Sequence, residues 1–397
     1  MPTCTPERTQ VGIVGAGPAG LMLSHLLGRA GIESIVIDLR SRDEIEHTHR
    51  AGILEQGSVD LLVDRGVSDR VHRDGYRHNG IELAFGGSGH RIDFQGLAGA
   101  STQLYPQTDV FIDLANARER DGGDVRFAVT DVSVDGLTSD SPTIRFTDSN
   151  GAAHEIRADF LVGADGSRSL CRHQVPEAEC TQYFREYPFA WFGILTEAPP
   201  SAPELIYNHS PYGFALISQR TSKLQRMYFQ CDPGENVDDW SDDRIWDQLQ
   251  TRLGANGYTL KEGPITSKTV LPFRSFVQEP MHHGRMALAG DAAHTVPPTG
   301  AKGLNLALAD VRVLAEELER AVRSHDAAPL ATYTQRAVAR VWKSQHFSYW
   351  MTTMLHTLPD ASPFDTRRQE GELASVTGSV AGSTYLAEAY TGWPGSK

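Results

Sequence analysis

Four side chains in this 397-residue chain have the types and spacing to hold an anion: Ser218 and Arg220 before a short polar turn, Arg226 and Tyr228 after it. Residues two apart on a strand face the same way, so each pair sets a guanidinium beside a hydroxyl. A planar guanidinium donates two parallel bonds to a carboxylate, which makes the hairpin a cradle for a small acid. The blander reading is a strand arginine in a surface salt bridge, and only the surrounding residues decide against it. A second constellation is "GDAAHTVPPTGAKGLNLALAD", Gly290 to Asp310, where prolines and glycines precede a strongly helical stretch. The helix start leaves a row of free backbone N–H groups, and such a terminus favours negative charge.

A third is Gly15, Gly17 and Gly20 in G-x-G-x-x-G, after the strand-like "VGIV" and opening a helix that carries Leu21, Leu23, Leu26 and Leu27 and stops at Gly31. Gly15 permits the tight turn, Gly17 lets the backbone approach a pyrophosphate, and Gly20 allows close helix–sheet packing. The next strand, "SIVID", ends in Asp38, eighteen residues after Gly20, where a carboxylate can bind ribose hydroxyls. Two more apolar runs, "FLVGADG" and "GRMALAGD", end in Asp165-Gly166 and Gly290-Asp291. The glycine loop with its strand, helix and acid points to a dinucleotide site; each dipeptide alone reads as a structural turn, and their joint occurrence after that loop is a sharper signal. No second G-x-G-x-x-G follows a strand, so a nicotinamide nucleotide is expected to visit rather than occupy a domain of its own.

The elements that must position these residues divide the chain into three. Residues 1–182 open with a βαβ unit and a parallel sheet. Residues 183–277 read as antiparallel strands, including the hairpin around Thr221–Lys223. Residues 278–397 contain the Gly290-Asp291 motif and are then mostly helical, with Leu304, Leu308, Val311, Leu314 and Leu318 on one face. The aromatic-rich stretch "TYTQRAVARVWKSQHFSYWMTTMLHTL" reads as core or subunit contact. A formal charge of −13 argues against nucleic acid and acidic membrane surfaces as partners. No run suggests a membrane span or a secretion signal, and the four scattered cysteines fit a reducing cytoplasm. His47 and His49 lack a supporting ligand cluster, so no metal is expected.

In this order the motifs resemble the class A flavoprotein aromatic hydroxylases. "RAGILEQGSVDLL", "ELIYNHSPYGFALISQR", "DWSD", "LPFRSFVQEPMHHGR" and "WMTTMLHTLPD" closely resemble the branch acting on 4-hydroxybenzoate, over nearly the whole chain. The resemblance implies a mixed α/β fold: a Rossmann-like FAD-binding domain, an antiparallel-sheet substrate domain and a helical C-terminal region, in a homodimer. It implies hydroxylation at the 3-position with O2 and NADH or NADPH, through a flavin C4a-hydroperoxide. Arg220 would bind the substrate carboxylate with Ser218, Gln219 and Tyr228. Tyr207 and the Pro298 carbonyl would meet the phenol, and Tyr207 with Tyr390 would begin a proton relay reaching the surface near His78. Gly15, Gly17, Ala19, Gly20, Asp38, Arg50, Ala51, Gly52, Gln107, Asp165, Asp291, Gly303, Leu304 and Asn305 would line FAD, and Arg226 would govern the flavin's swing.

The match departs at Leu39 and Thr48, where the resemblance would place arginines, and at Glu44, an aromatic position. Extra carboxylates there disfavour a 2′-phosphate, although Arg40 and Arg42 can compensate, so the reading leans to NADH. Arg168 replaces a histidine and Ala19 a small hydroxyl residue. Within the class the alternative substrates are 4-aminobenzoate and 3-hydroxybenzoate; outside it, the alternative is a redox-silent binding protein sharing the glycine loop.

Overall fold

The computed structural model describes residues 6–48 and 52–394. Strand Glu7–Val14 runs into Gly15, whose φ of +109° turns the chain beneath Ala164. A Cβ at Gly15 would lie 2.2 Å from the Ala164 carbonyl, so only glycine fits. Helix Pro18–Arg29 then starts with proline in its first turn and buries Leu21, Leu23 and Leu27 completely. Strands Met286–Leu288, Ala153–Gly163, Glu7–Val14, Ser34–Ile37 and Asp124–Arg126 lie side by side, all parallel. Such a sheet is covered on both faces, which explains the unbroken apolar runs. One consequence organises the site. The glycine loop, Asp38, Asp165 and Gly290-Asp291 each follow a parallel strand, so all four lie along one carboxyl edge.

The second large sheet is antiparallel apart from one pair, and it is not contiguous in sequence. Its order runs His294–Thr295, Ile265–Glu279, Thr181–Thr196, Gln225–Cys231, Ala215–Gln219, Leu205–Asn208, Gly80–Phe85 and Ser88–Asp93. Two strands therefore come from residues before 183 and one from beyond 277.

Helix Gly303–Ser324 lays Leu308, Val311, Leu314 and Leu318, all fully buried, into the core beneath the parallel sheet. Helix Ala328–Leu355 joins the two layers. Leu330, Tyr333 and Val341 pack in the parallel-sheet core, whereas Phe347, Met351 and Leu355 pack against the antiparallel sheet. Its aromatic residues are thus divided: Tyr333 and Phe347 are core, while Trp342 and Tyr349 face outward.

Candidate active site

Strand pairing brings the substrate-side residues together. Leu216 lies opposite both Tyr207 and Tyr228, and Ser218 lies opposite Arg226. Tyr207, Tyr228, Ser218 and Arg226 therefore share one face of the sheet, with partly buried Arg220 at its end. Arg220 hydrogen-bonds Tyr228, and burial pulls its pKa below the ordinary arginine value. Leu216 and Arg220 are four residues apart, about 13 Å of extended chain. An acid held at Arg220 and a hydroxyl held at Tyr207 thus belong to opposite ends of one ligand.

Tyr207 is fully enclosed, and its hydroxyl lies 2.7 Å from that of Tyr390. Burial pushes the Tyr207 pKa up to about 12, while bonds to Tyr390 and the Gly300 backbone work the other way. Tyr390 is raised further, by burial and by Tyr207. Both phenols stay protonated near neutrality; one proton makes the bond between them, which leaves the other to donate to an anion. Phe94 stacks on Tyr390 at 5.0 Å, closing that end against water.

Two expected residues stand differently, and a third is partly engaged. Gln219 alternates to the opposite sheet face from Ser218, and its amide lies 3.0 Å from His78 Nε2 and donates to the Pro203 carbonyl. Its side chain faces away from the cradle. His78 itself is 2 % exposed rather than at the surface, and burial lowers its pKa. The Pro298 carbonyl accepts the Ala301 N–H at 3.0 Å, leaving one lone pair for a ligand.

On the nucleotide side, two helix starts meet the carboxyl edge without a side-chain cap, at Gly17 and at Lys302. A Cβ at Gly17 or Gly303 would meet nothing within 4 Å, so both glycines border open space. Ala19 packs near Gly290, where an added Cβ would lie 3.5 Å from it. Asp38 is buried and accepts the Ala16 N–H at 2.8 Å, which fixes its carboxylate beside the glycine loop. This edge, with two uncapped helix N-termini and a buried acid, suits an anionic dinucleotide such as FAD. Gln107 begins helix Gln107–Arg120, and a Cβ at Gly52 would meet the Tyr105 carbonyl at 2.1 Å, so those segments touch. Arg50 and Ala51 lie outside the described residues.

Asp165 accepts from Ser169 Oγ at 2.5 Å and from the Cys171 N–H at 3.1 Å, so both its oxygens hold its own loop. Asn305 accepts the Glu55 N–H and donates to Ile53 and Ala301, so its side chain is engaged within the protein. Asp291 is partly buried, and Arg172 donates to its carbonyl region, 3.0 Å from the Ala292 oxygen. Arg226 Nε is buried without a partner, its guanidinium 5.2 Å from the Tyr228 ring centre.

Sequence reasoning missed three buried networks. Lys302 Nζ donates to Glu55 at 2.7 Å and to the Tyr390 carbonyl at 2.9 Å, and Arg340 holds the other Glu55 oxygen at 2.8 Å. His294 lies 2.6 Å from Asp310, which also accepts the Gly290 N–H at 3.0 Å and so pins the Gly290-Asp291 turn to the helix. Burial opposes charge on His294, yet Asp310 outweighs it and holds the imidazole above its ordinary pKa. Trp191 Nε1 donates to His356 Nε2 at 2.7 Å. The partners are 247, 16 and 165 residues apart, and only the second spacing is visible in a single motif.

Residues 8–348 match the family model described as FAD binding domain. The chain is 42 % identical to p-hydroxybenzoate hydroxylase of Acinetobacter baylyi over 389 residues, 98 % of this chain and 96 % of that one. The fold is that of p-nitrophenol 4-monooxygenase from Pseudomonas putida, with a TM-score of 0.83 at 19 % identity over 98 % of this chain and all of the other. It is shared by aklavinone-11 hydroxylase, solved with FAD and aklavinone, with a TM-score of 0.71 at 24 % identity over 91 % and 73 % of the two chains.

Proposed function

The chain belongs to the FAD-binding flavoprotein aromatic hydroxylases, and on that premise we propose that it converts 4-hydroxybenzoate to 3,4-dihydroxybenzoate. The balance is one 4-hydroxybenzoate, one O2, one NAD(P)H and one proton, giving the diphenol, water and NAD(P)+. The observation that carries the substrate is the single sheet face with Arg220 at one end and the Tyr207–Tyr390 pair at the other.

Held along the carboxyl edge by the glycine loop, Asp38 and the helix start at Gly303, FAD would supply hydride acceptance from the nicotinamide and transfer of one oxygen atom of O2 to the ring. The chain's own residues do the rest. Arg220, with Ser218 and Tyr228, holds the carboxylate and so fixes which ring carbon faces the flavin. A free phenol has a pKa near 10 and is mostly neutral at pH 7, so its ring is weakly activated. Tyr207 donates to the phenolate oxygen and passes the released proton to Tyr390. Neither tyrosine brings a competing negative charge. The family resemblance carries the relay on towards His78, whose Nε2 lies 3.0 Å from the Gln219 amide. The aromatic wall excludes water from the reacting centre.

Arg42, a candidate partner for a 2′-phosphate, is held by Glu46, Asn116 and Glu119, and Arg40 reaches back to Asp38. Leu39 stands exposed and Glu44 caps its own short helix, which supports NADH as the preferred nucleotide. Oxidation of NADH and NADPH is to be followed with and without 4-hydroxybenzoate, scoring diphenol formed per nucleotide consumed. Strong stimulation with near-equal product, faster with NADH, is expected. Stimulation without product makes 4-hydroxybenzoate an effector and moves the choice to 4-aminobenzoate or 3-hydroxybenzoate; equal rates with the two nucleotides defeat the NADH preference.

The C-terminal helices expose Trp342, Tyr349, Phe364 and Tyr385, a surface suited to the homodimer that the family resemblance implies. Light scattering is expected to return twice 43.5 kDa; a monomer mass at micromolar concentration rejects it.

A further inference from the structure

His356 ends helix Ala328–Leu355 and is fully buried. Its two nitrogens have distinct partners. Trp191 Nε1 can only donate, so His356 Nε2, at 2.7 Å, must accept. The proton therefore sits on Nδ1, which donates to the Thr352 carbonyl at 2.8 Å. Burial drives the imidazole down to a pKa of about 3, so it is neutral and its tautomer is fixed. The ring also stacks on Phe214 at 4.2 Å and on Phe189 at 4.7 Å.

Both of its main partners reach the ligand face. Trp191 lies 4.7 Å from the Tyr228 ring, beside the carboxylate end. Phe214 lies 6.3 Å from the Tyr207 ring, at the phenol end. One imidazole thus stands behind both tyrosines. His209 Nδ1, 3.0 Å from the Leu355 carbonyl, fastens this helix end to the sheet, and Gln369, which donates to the His356 carbonyl at 2.8 Å, fastens it to helix Pro363–Thr377. A backbone anchored on both sides leaves the ring little freedom to shift.

Resting on the function proposed above, we propose that His356 is a positioning residue that fixes the separation of Tyr207 and Tyr228, and so sets the length of aromatic acid the pocket accepts. A hydrogen bond to Trp191 holds one wall and ring stacking holds the other. Loss of the acceptor leaves the indole N–H buried and unpaired, and the indole then turns towards another partner and carries Tyr228 with it.

The test uses FAD-loaded protein and three forms: wild type, H356F, which keeps the ring but loses the acceptor, and H356Q, which keeps an acceptor. Binding of 4-hydroxybenzoate and of the one-carbon-longer 4-hydroxyphenylacetate is read from the flavin spectrum, beside KM and kcat. H356F is expected to lose about tenfold in preference for the shorter acid, through KM, with flavin reduction unchanged. H356Q is expected to recover most of it. An unchanged preference in H356F, or H356Q no better than H356F, overturns the proposal. Wild type that binds neither acid refutes the substrate reading instead. The length preference is then read across benzoate, phenylacetate and phenylpropionate in the same three forms, with the same two outcomes deciding.

Discussion

On the function proposed above, Tyr207→Phe is expected to leave FAD and substrate in place but to cut diphenol formation about a hundredfold at pH 7, with the consumed nucleotide diverted to hydrogen peroxide. The substitution removes one oxygen from a fully enclosed position, so the ring packing against Phe214 and Tyr390 survives. It removes the donor to the phenolate and breaks the 2.7 Å link to Tyr390. Positioned proton transfer typically contributes a factor of roughly 10²–10⁴, which sets the scale. The pH dependence has a definite sign. With Tyr207 held protonated up to about pH 12, wild type keeps its donor across the working range. In the variant, ring activation comes only from phenolate formed by the substrate itself, so the defect shrinks as pH rises towards about 10. Product per nucleotide consumed, measured from pH 6 to 9, decides it: a defect that is flat with pH, or absent, removes Tyr207 from proton transfer.

The parts legible in the sequence were those whose physics is local. Gly15 needs a left-handed φ, Gly17 needs open space, and the apolar runs of a covered parallel sheet need no partner to be recognised. The hairpin was equally plain, because turn chemistry fixes register and register places Ser218 opposite Arg226. Alternation also set Gln219 on the far face, a consequence the strand period already contained. The order of the sheets was not legible. Strands Gly80–Phe85 and Ser88–Asp93 join the substrate sheet from the N-terminal third, and nothing within them names that partner. His78 looked like a surface residue because its covering comes from Gln219, 141 residues away. Single polar residues such as Glu55, Lys302 and His356 carry no periodic signal, and only the fold shows that each is buried and paired.

Lys302→Met has the largest expected effect outside the ligand face, because one side chain serves three ends. Lys302 is 1 % exposed and neutralises Glu55, itself buried. It also donates to the carbonyls of Ala389 and Tyr390, the last residues of helix Val380–Tyr390, and so caps the helix that carries Tyr390. Removing it leaves Glu55 to Arg340 alone and uncaps two carbonyls, a loss of about 3–5 kcal/mol by analogy with other broken buried pairs. The second effect is electrostatic. Lys302, Glu55 and Arg340 carry a net charge of +1, and Lys302 Nζ lies 5.8 Å from the Tyr390 ring centre. A unit charge on the order of 10 Å away, at an effective dielectric of about 20, is worth about 1.7 kcal/mol, or about 1.2 pK units. The phenol of bound 4-hydroxybenzoate is therefore expected to titrate more than one unit higher in the variant, read from the ultraviolet band of the phenolate, with a lower thermal midpoint. A lower midpoint with an unchanged phenol pKa reduces Lys302 to a helix cap. A shifted pKa places its charge in the activation of the ring, and Lys302 then also tunes the substrate from behind Tyr390.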